Sequence, residues 1–127
     1  MPVSQIENEL LMTNELLSSI TGLKVKFFRP PGGRYNMNVL EIVRKLGLIM
    51  IMWDVNANDY VRLEPFYGIQ GENAANDIYQ KVIDETKNGS IILMHNGSKE
   101  TIKALPHLIM RLKQSGYQFA TLSDLLK

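Results

Sequence analysis

Three short polar stretches hold the residues with the most chemistry to offer. The apolar run SIILM delivers His95 directly into Asn96-Gly97-Ser98. An imidazole is the side chain suited to carrying a proton near neutral pH. Its plain alternative is a loop histidine that caps the turn at Asn96-Gly97. Asp59 sits in VNANDY, and a carboxylate beside an imidazole fixes its tautomer and favours its protonated form. Alternatively Asp54, Asn56, Asn58 and Asp59 all serve turns. Arg29 opens RPPGG, where its guanidinium could pair as a fork with a carboxylate or phosphate. Pro30-Pro31 stiffen the backbone behind it, and Gly32-Gly33 permit a sharp turn or close approach to a ligand. An arginine beside bare backbone N–H groups has the composition of a corner that stabilises an anion or oxyanion; a solvated loop arginine is the alternative. Tyr35, Trp53, Tyr60, Phe66 and Tyr67 add aromatic rings near these loops, suited to sugars, with core packing the simpler use of Trp53. His107, inside a helical pattern after Pro106, reads as a helix-surface or groove residue.

The elements that must position these residues alternate. Apolar residues at Ile6, Leu10, Leu16, Leu17 and Ile20 predict an amphipathic helix over Gln5–Ile20, with Ser4 as N-cap and Thr21-Gly22 as its end. Val25–Phe28 reads as a strand and Arg29–Asn36 as irregular. A helix over Asn38–Leu46 ends at Gly47. Leu48–Trp53 reads as a strand covered on both faces, and Asp54–Glu72 as a long loop. A helix over Asn73–Lys87 leads to a strand at Ser90–Met94. The helix Thr101–Ser115 is expected to turn Ile102, Leu105, Leu108, Ile109 and Leu112 inward. A strand at Tyr117–Ala120 and a helical turn at Thr121–Leu126 close the chain. This α-β alternation implies parallel strands joined by right-handed crossovers. Working residues then gather on the loops after the strands' carboxyl ends, where all three polar stretches fall.

Composition excludes several classes of function. The 127 residues suit a single domain over 1–127, and 14 basic against 13 acidic residues leave +1 with no basic block. Nucleic-acid binding therefore does not fit as the main task. With no cysteine there is no disulfide framework and no thiolate chemistry. No apolar run is long enough to span a bilayer, and MPVSQIENELLM has neither the basic nor the apolar region of a signal peptide. No HxxxH, HExxH, GxSxG, Walker or GxGxxG pattern occurs, so the sequence itself offers no metal ligands.

FFRPPGGRYN, WDVNANDY and SIILMHNGSKETIKALPHLIMRLKQSGYQFATLSDLL, in that order, resemble the last three motifs of the polysaccharide deacetylases. These are metal-dependent carbohydrate esterases that include chitin, chitooligosaccharide and peptidoglycan deacetylases. The resemblance runs over almost the whole chain. It implies the C-terminal portion of a distorted seven-stranded (β/α) barrel, with about four parallel strands present here. It assigns Arg29 to orienting a catalytic-base aspartate and the backbone near Gly32 and Gly33 to the oxyanion. Asp59 would tune the catalytic histidine, His95 would be the general acid and Leu93 would line the acetyl pocket. Asn56 stands where the family has an aspartate, and Tyr60 where it has a tryptophan. The resemblance also implies a divalent metal of the zinc or cobalt type. The family's upstream TFDDG-like and HSxxH-like motifs, which supply the base and metal ligands, do not occur in this chain. Three readings follow: part of a polysaccharide N-deacetylase, inactive alone and completed by a homodimer or a separately encoded N-terminal half; a non-catalytic carbohydrate-binding or assembly module; or an unrelated small α/β domain. The first implies an N-acetylated glycan substrate and a cell-wall, spore-associated or extracellular setting.

Overall fold

A computed structural model of the chain describes residues 2–59 and 74–127. They form two compact units, Met1–Met52 and Trp53–Lys127.

In the first unit, α1 (Val3–Thr21) begins at Pro2 rather than on a side-chain cap, so Ser4 lies inside the first turn. Proline costs nothing at a helix start, where the backbone N–H would have no partner anyway. Gly22 ends α1 in the left-handed conformation, which a residue with a Cβ adopts at a cost. Strand β1 is Phe27–Phe28, followed by a 3-10 turn over Pro31–Gly33. Helix α2 (Met37–Lys45) starts at Asn36, whose side chain accepts from the Val39 N–H. Strand β2 (Ile49–Met50) pairs parallel with β1 in the register Phe27↔Ile49 and Phe28↔Met50. Ile42, Val43, Leu48 and Ile51 are buried, but Ile49 is 52% exposed. The apolar run Leu48–Trp53 is therefore not covered on both faces. The apolar face of α1 is likewise open at Leu16, Leu17 and Ile20.

The second unit begins with β3 (Val55–Asn56), a strand inside the stretch expected to be loop. It pairs parallel with β4 (Ile92–Leu93), matching Val55↔Ile92 and Asn56↔Leu93. Helix α3 (Ala74–Glu85) crosses between them, and α4 (Lys99–Gln114) and the short α5 (Leu122–Leu125) follow. The second and third strands thus succeed one another without an intervening helix, so the alternation is not strict. The expected strand at Tyr117–Ala120 is irregular instead. The observed class is α/β with two two-stranded parallel sheets among the described residues.

Val55, Ala57, Ile78, Val82, Ala104 and Leu108 make one buried cluster in this unit. On α4 the buried positions are Thr101, Ala104, Leu108 and Leu112, at the spacing of a single helix face. Ile102, Leu105 and Ile109, expected inside, are exposed; the inward face is rotated toward Thr101. Leu108 is 1% exposed, and its loss leaves a cavity as well as fewer apolar contacts. Leu108→Ala should cost about 3 kcal/mol, read as a lower urea midpoint with an unchanged slope. No helix among the described residues is long and apolar enough to cross a membrane.

Candidate active site

The pairing of β3 with β4 decides which polar residues meet. Asp59 lies three residues beyond Asn56 and His95 two beyond Leu93, so both leave the same end of a parallel pair. The extra residue on the first arm is absorbed by a turn, in which Asn56 Oδ1 accepts from the Asn58 N–H at 2.9 Å. Asn58 itself takes a left-handed φ of 53°, which asparagine tolerates better than most residues. The amide at Asn56 thus carries a backbone task here.

Asp59 is fully buried and held by three donors. Its Oδ2 accepts from the His95 backbone N–H at 2.6 Å and from the Thr101 hydroxyl at 2.8 Å. Its Oδ1 lies 2.8 Å from His95 Nδ1. Burial raises the affinity of this carboxyl for a proton, but the His95 N–H, the His95 ring and the Thr101 hydroxyl together outweigh it. The net result is a pKa below the ordinary 3.8. An ionised carboxylate can only accept, so His95 Nδ1 carries the hydrogen and Nε2 becomes the nitrogen at which protons are exchanged. The His95 side chain is 37% exposed, which leaves the imidazole reachable while its carboxylate is not.

Thr101 was not among the residues singled out from sequence. It is the third residue of α4, whose N-cap Ser98 is buried and accepts from the Thr101 N–H at 3.1 Å. A serine before a helical pattern is a helix-start signal; that the Thr101 hydroxyl would reach a carboxylate 42 residues away has no local signature. Asp54 serves structure, though through a distant segment and not through the turn its reading expected. It accepts from the Ile91 N–H at 2.7 Å and from Ser90 Oγ at 2.9 Å. The Ile91 bond, with Ser90 assisting, holds its pKa below the ordinary value despite some desolvation.

Leu93 is buried on β4, and Trp53 is half-buried at the start of this unit. Tyr60, Phe66 and Tyr67 fall outside the described residues. Arg29, Gly32, Gly33 and Tyr35 belong to the first unit. Arg29 is exposed and Pro30 buried. Gly32 and Gly33 have φ of 64° and 69°, a left-handed pair that explains two successive glycines. The Gly33 N–H is committed to the Pro30 carbonyl at 2.9 Å, so of the two expected oxyanion amides the turn itself uses Gly33. His107 is exposed on α4, as expected.

Residues 1–51 match the polysaccharide deacetylase family. Over 123 residues the chain is 31% identical to the peptidoglycan-N-acetylmuramic acid deacetylase PdaA of Bacillus subtilis, covering 96% of this chain and 44% of that one. The chain is similar to a part of the polysaccharide deacetylases. A bifunctional xylanase/deacetylase of Pseudobutyrivibrio xylanivorans is 32% identical, the match covering 100% of this deacetylase-like chain and 19% of the relative. A CE4 family pseudoenzyme from Bacillus anthracis superposes with a TM-score of 0.84 at 29% identity, over 100% of this chain and 41% of the other. The chain therefore spans less than half the length of each of these relatives. Among the described residues no group of three His, Cys, Asp or Glu could hold a metal ion.

Proposed function

We propose that this chain is the proton-donating part of a polysaccharide N-deacetylase domain acting on N-acetylated amino sugars of peptidoglycan or a chitooligosaccharide. The observation that carries the reading is the Asp59–His95 pair, a buried carboxylate 2.8 Å from an accessible imidazole. In amide hydrolysis the amine leaves poorly unless its nitrogen is protonated as the C–N bond breaks. Nε2 of a protonated His95 gives that proton, the bonding pair passes to nitrogen, and Asp59 holds the ring in place and offsets its charge. As the resemblance implies, Leu93 lines the acetyl pocket, and Trp53 of the same unit supplies a flat surface for the sugar. By the same resemblance, Arg29 pairs with a base aspartate and the Gly32 amide serves the oxyanion.

The family's divalent ion would polarise the carbonyl and activate water. As the resemblance implies, the base and the metal ligands belong to motifs that this chain lacks, and the chain by itself is inactive. A second reading is favoured by the similarity to a pseudoenzyme: a glycan-binding module that keeps the pair without turnover. The deciding experiment replaces the matching segment of the B. subtilis N-acetylmuramic acid deacetylase with this chain. The catalytic reading expects acetate release from the chimera and none from the chain alone. A folded chimera that binds glycan but releases no acetate leaves only the module.

A further inference from the structure

A second surface of the Trp53–Lys127 unit has no part in the chemistry above. Helices α3 and α4 enclose a groove of about 400 Å³ whose α4 side presents Lys103, His107 and Arg111 and whose α3 side presents Ala75, Asn76 and Tyr79. The three basic residues recur every four positions, so they stand in one row about 6 Å apart along the helix axis. Its fixed cations, Lys103 and Arg111, stand two turns apart, and a helix built only for stability would set carboxylates within a turn of each. Helix α4 instead carries Lys99, Lys103, Arg111 and Lys113 against the single acid Glu100. Attraction to the helix C-terminus accounts for Arg111, but Lys103 and His107 lie outside the last turn. Helix α3 does hold Asp77, Asp84 and Glu85, yet only neutral residues of α3 line the groove. Among the described residues no carboxylate forms an ion pair with Lys103, His107 or Arg111.

We propose that this groove binds a linear phosphate-bearing polymer, with successive phosphates along the 103–107–111 row and the Asn76 amide and Tyr79 hydroxyl as neutral donors. Phosphate is favoured because lysine, arginine and amide donors match its several acceptor oxygens. The charges are invisible as a block in sequence because they are spread over nine residues. The site goes beyond the deacetylase reading and stands or falls without it.

The test is binding of long-chain inorganic polyphosphate to the full chain at pH 7.5 over a series of salt concentrations. The expected log–log salt slope is about −1.4, from two fixed cations at about 0.7 each. The variant K103Q/H107Q/R111Q should bind at least about tenfold more weakly with a slope near zero, two full cation contacts having been removed. A charge-matched control, K24Q/K26Q, should stay within about twofold of the parent, since its lysines line no part of the groove and change only the net charge. Binding by the triple variant as tight as that of the control would overturn the proposal. Equal affinity for polyglutamate of matched length would overturn the phosphate assignment.

Discussion

Asp59→Ala is expected to lower the stability of the Trp53–Lys127 unit by about 3 kcal/mol, the cost of leaving several buried donors without their charged acceptor. The His95 N–H and the Thr101 hydroxyl both converge on one carboxylate oxygen. Asp59→Asn should fall between, since it keeps one acceptor oxygen but turns an NH₂ toward donors. The dependence on pH gives the sign. The folded carboxyl is depressed below the ordinary 3.8, so its contribution is complete above that value and is lost as pH falls through the folded pKa. Urea midpoints should therefore separate the parent from Asp59→Asn widely at pH 7, and the gap should begin to narrow only once the pH falls below 3.8. Asp54 and Asp124 are depressed too and leave a residual acid limb in both proteins. Equal midpoints at pH 7 would refute the three-donor cage.

The second large effect concerns proton delivery. In the chimera with the B. subtilis deacetylase, His95→Ala should lower acetate release by about 10²- to 10⁴-fold, the range typical of a general acid. Glycan affinity should change little, because the imidazole acts on the leaving nitrogen as the bond breaks. An aryl acetate supplies the discriminating readout. Its phenolate leaves without protonation, so the same variant should lose far less activity on it. An equal loss on both substrates would mean that His95 shapes the site instead of donating a proton.

Much of this arrangement is legible before any coordinates. The four longer helices announce themselves through apolar spacing and through end glycines such as Gly22 and Gly47, whereas the caps Asn36 and Ser98 emerge only in the structure. The Asp59–His95 encounter follows from topology, because both residues trail strands that a crossover makes parallel. What escaped depends on distant partners. Val55–Asn56 is too short and too polar to register as a strand, and it becomes one only because Ile92–Leu93 lies beside it. Tyr117–Ala120 has the composition of a strand, but in the described structure it is irregular. The inward face of α4 turns toward Thr101 and away from Ile102, because a buried hydroxyl bonded to Asp59 occupies the place an apolar count would give to isoleucine. The resemblance to deacetylases is borne out by the relatives, whereas the barrel it implies lies beyond the four short strands described.

The length of chain between the two halves of the Asp59–His95 pair bears on how the pair forms. Their hydrogen bond closes a loop of 36 residues, an entropic cost of about 3 kcal/mol for a chain that must find itself. A ladder of two residues on each side cannot offset that by itself. The helix packing around Ile78, Val82, Ala104 and Leu108 does so, by folding the intervening segment onto the helix that follows it. The imidazole and its carboxylate are thus brought together by a clasp whose spring lies in the helices, and core changes with no contact to either residue will loosen their encounter.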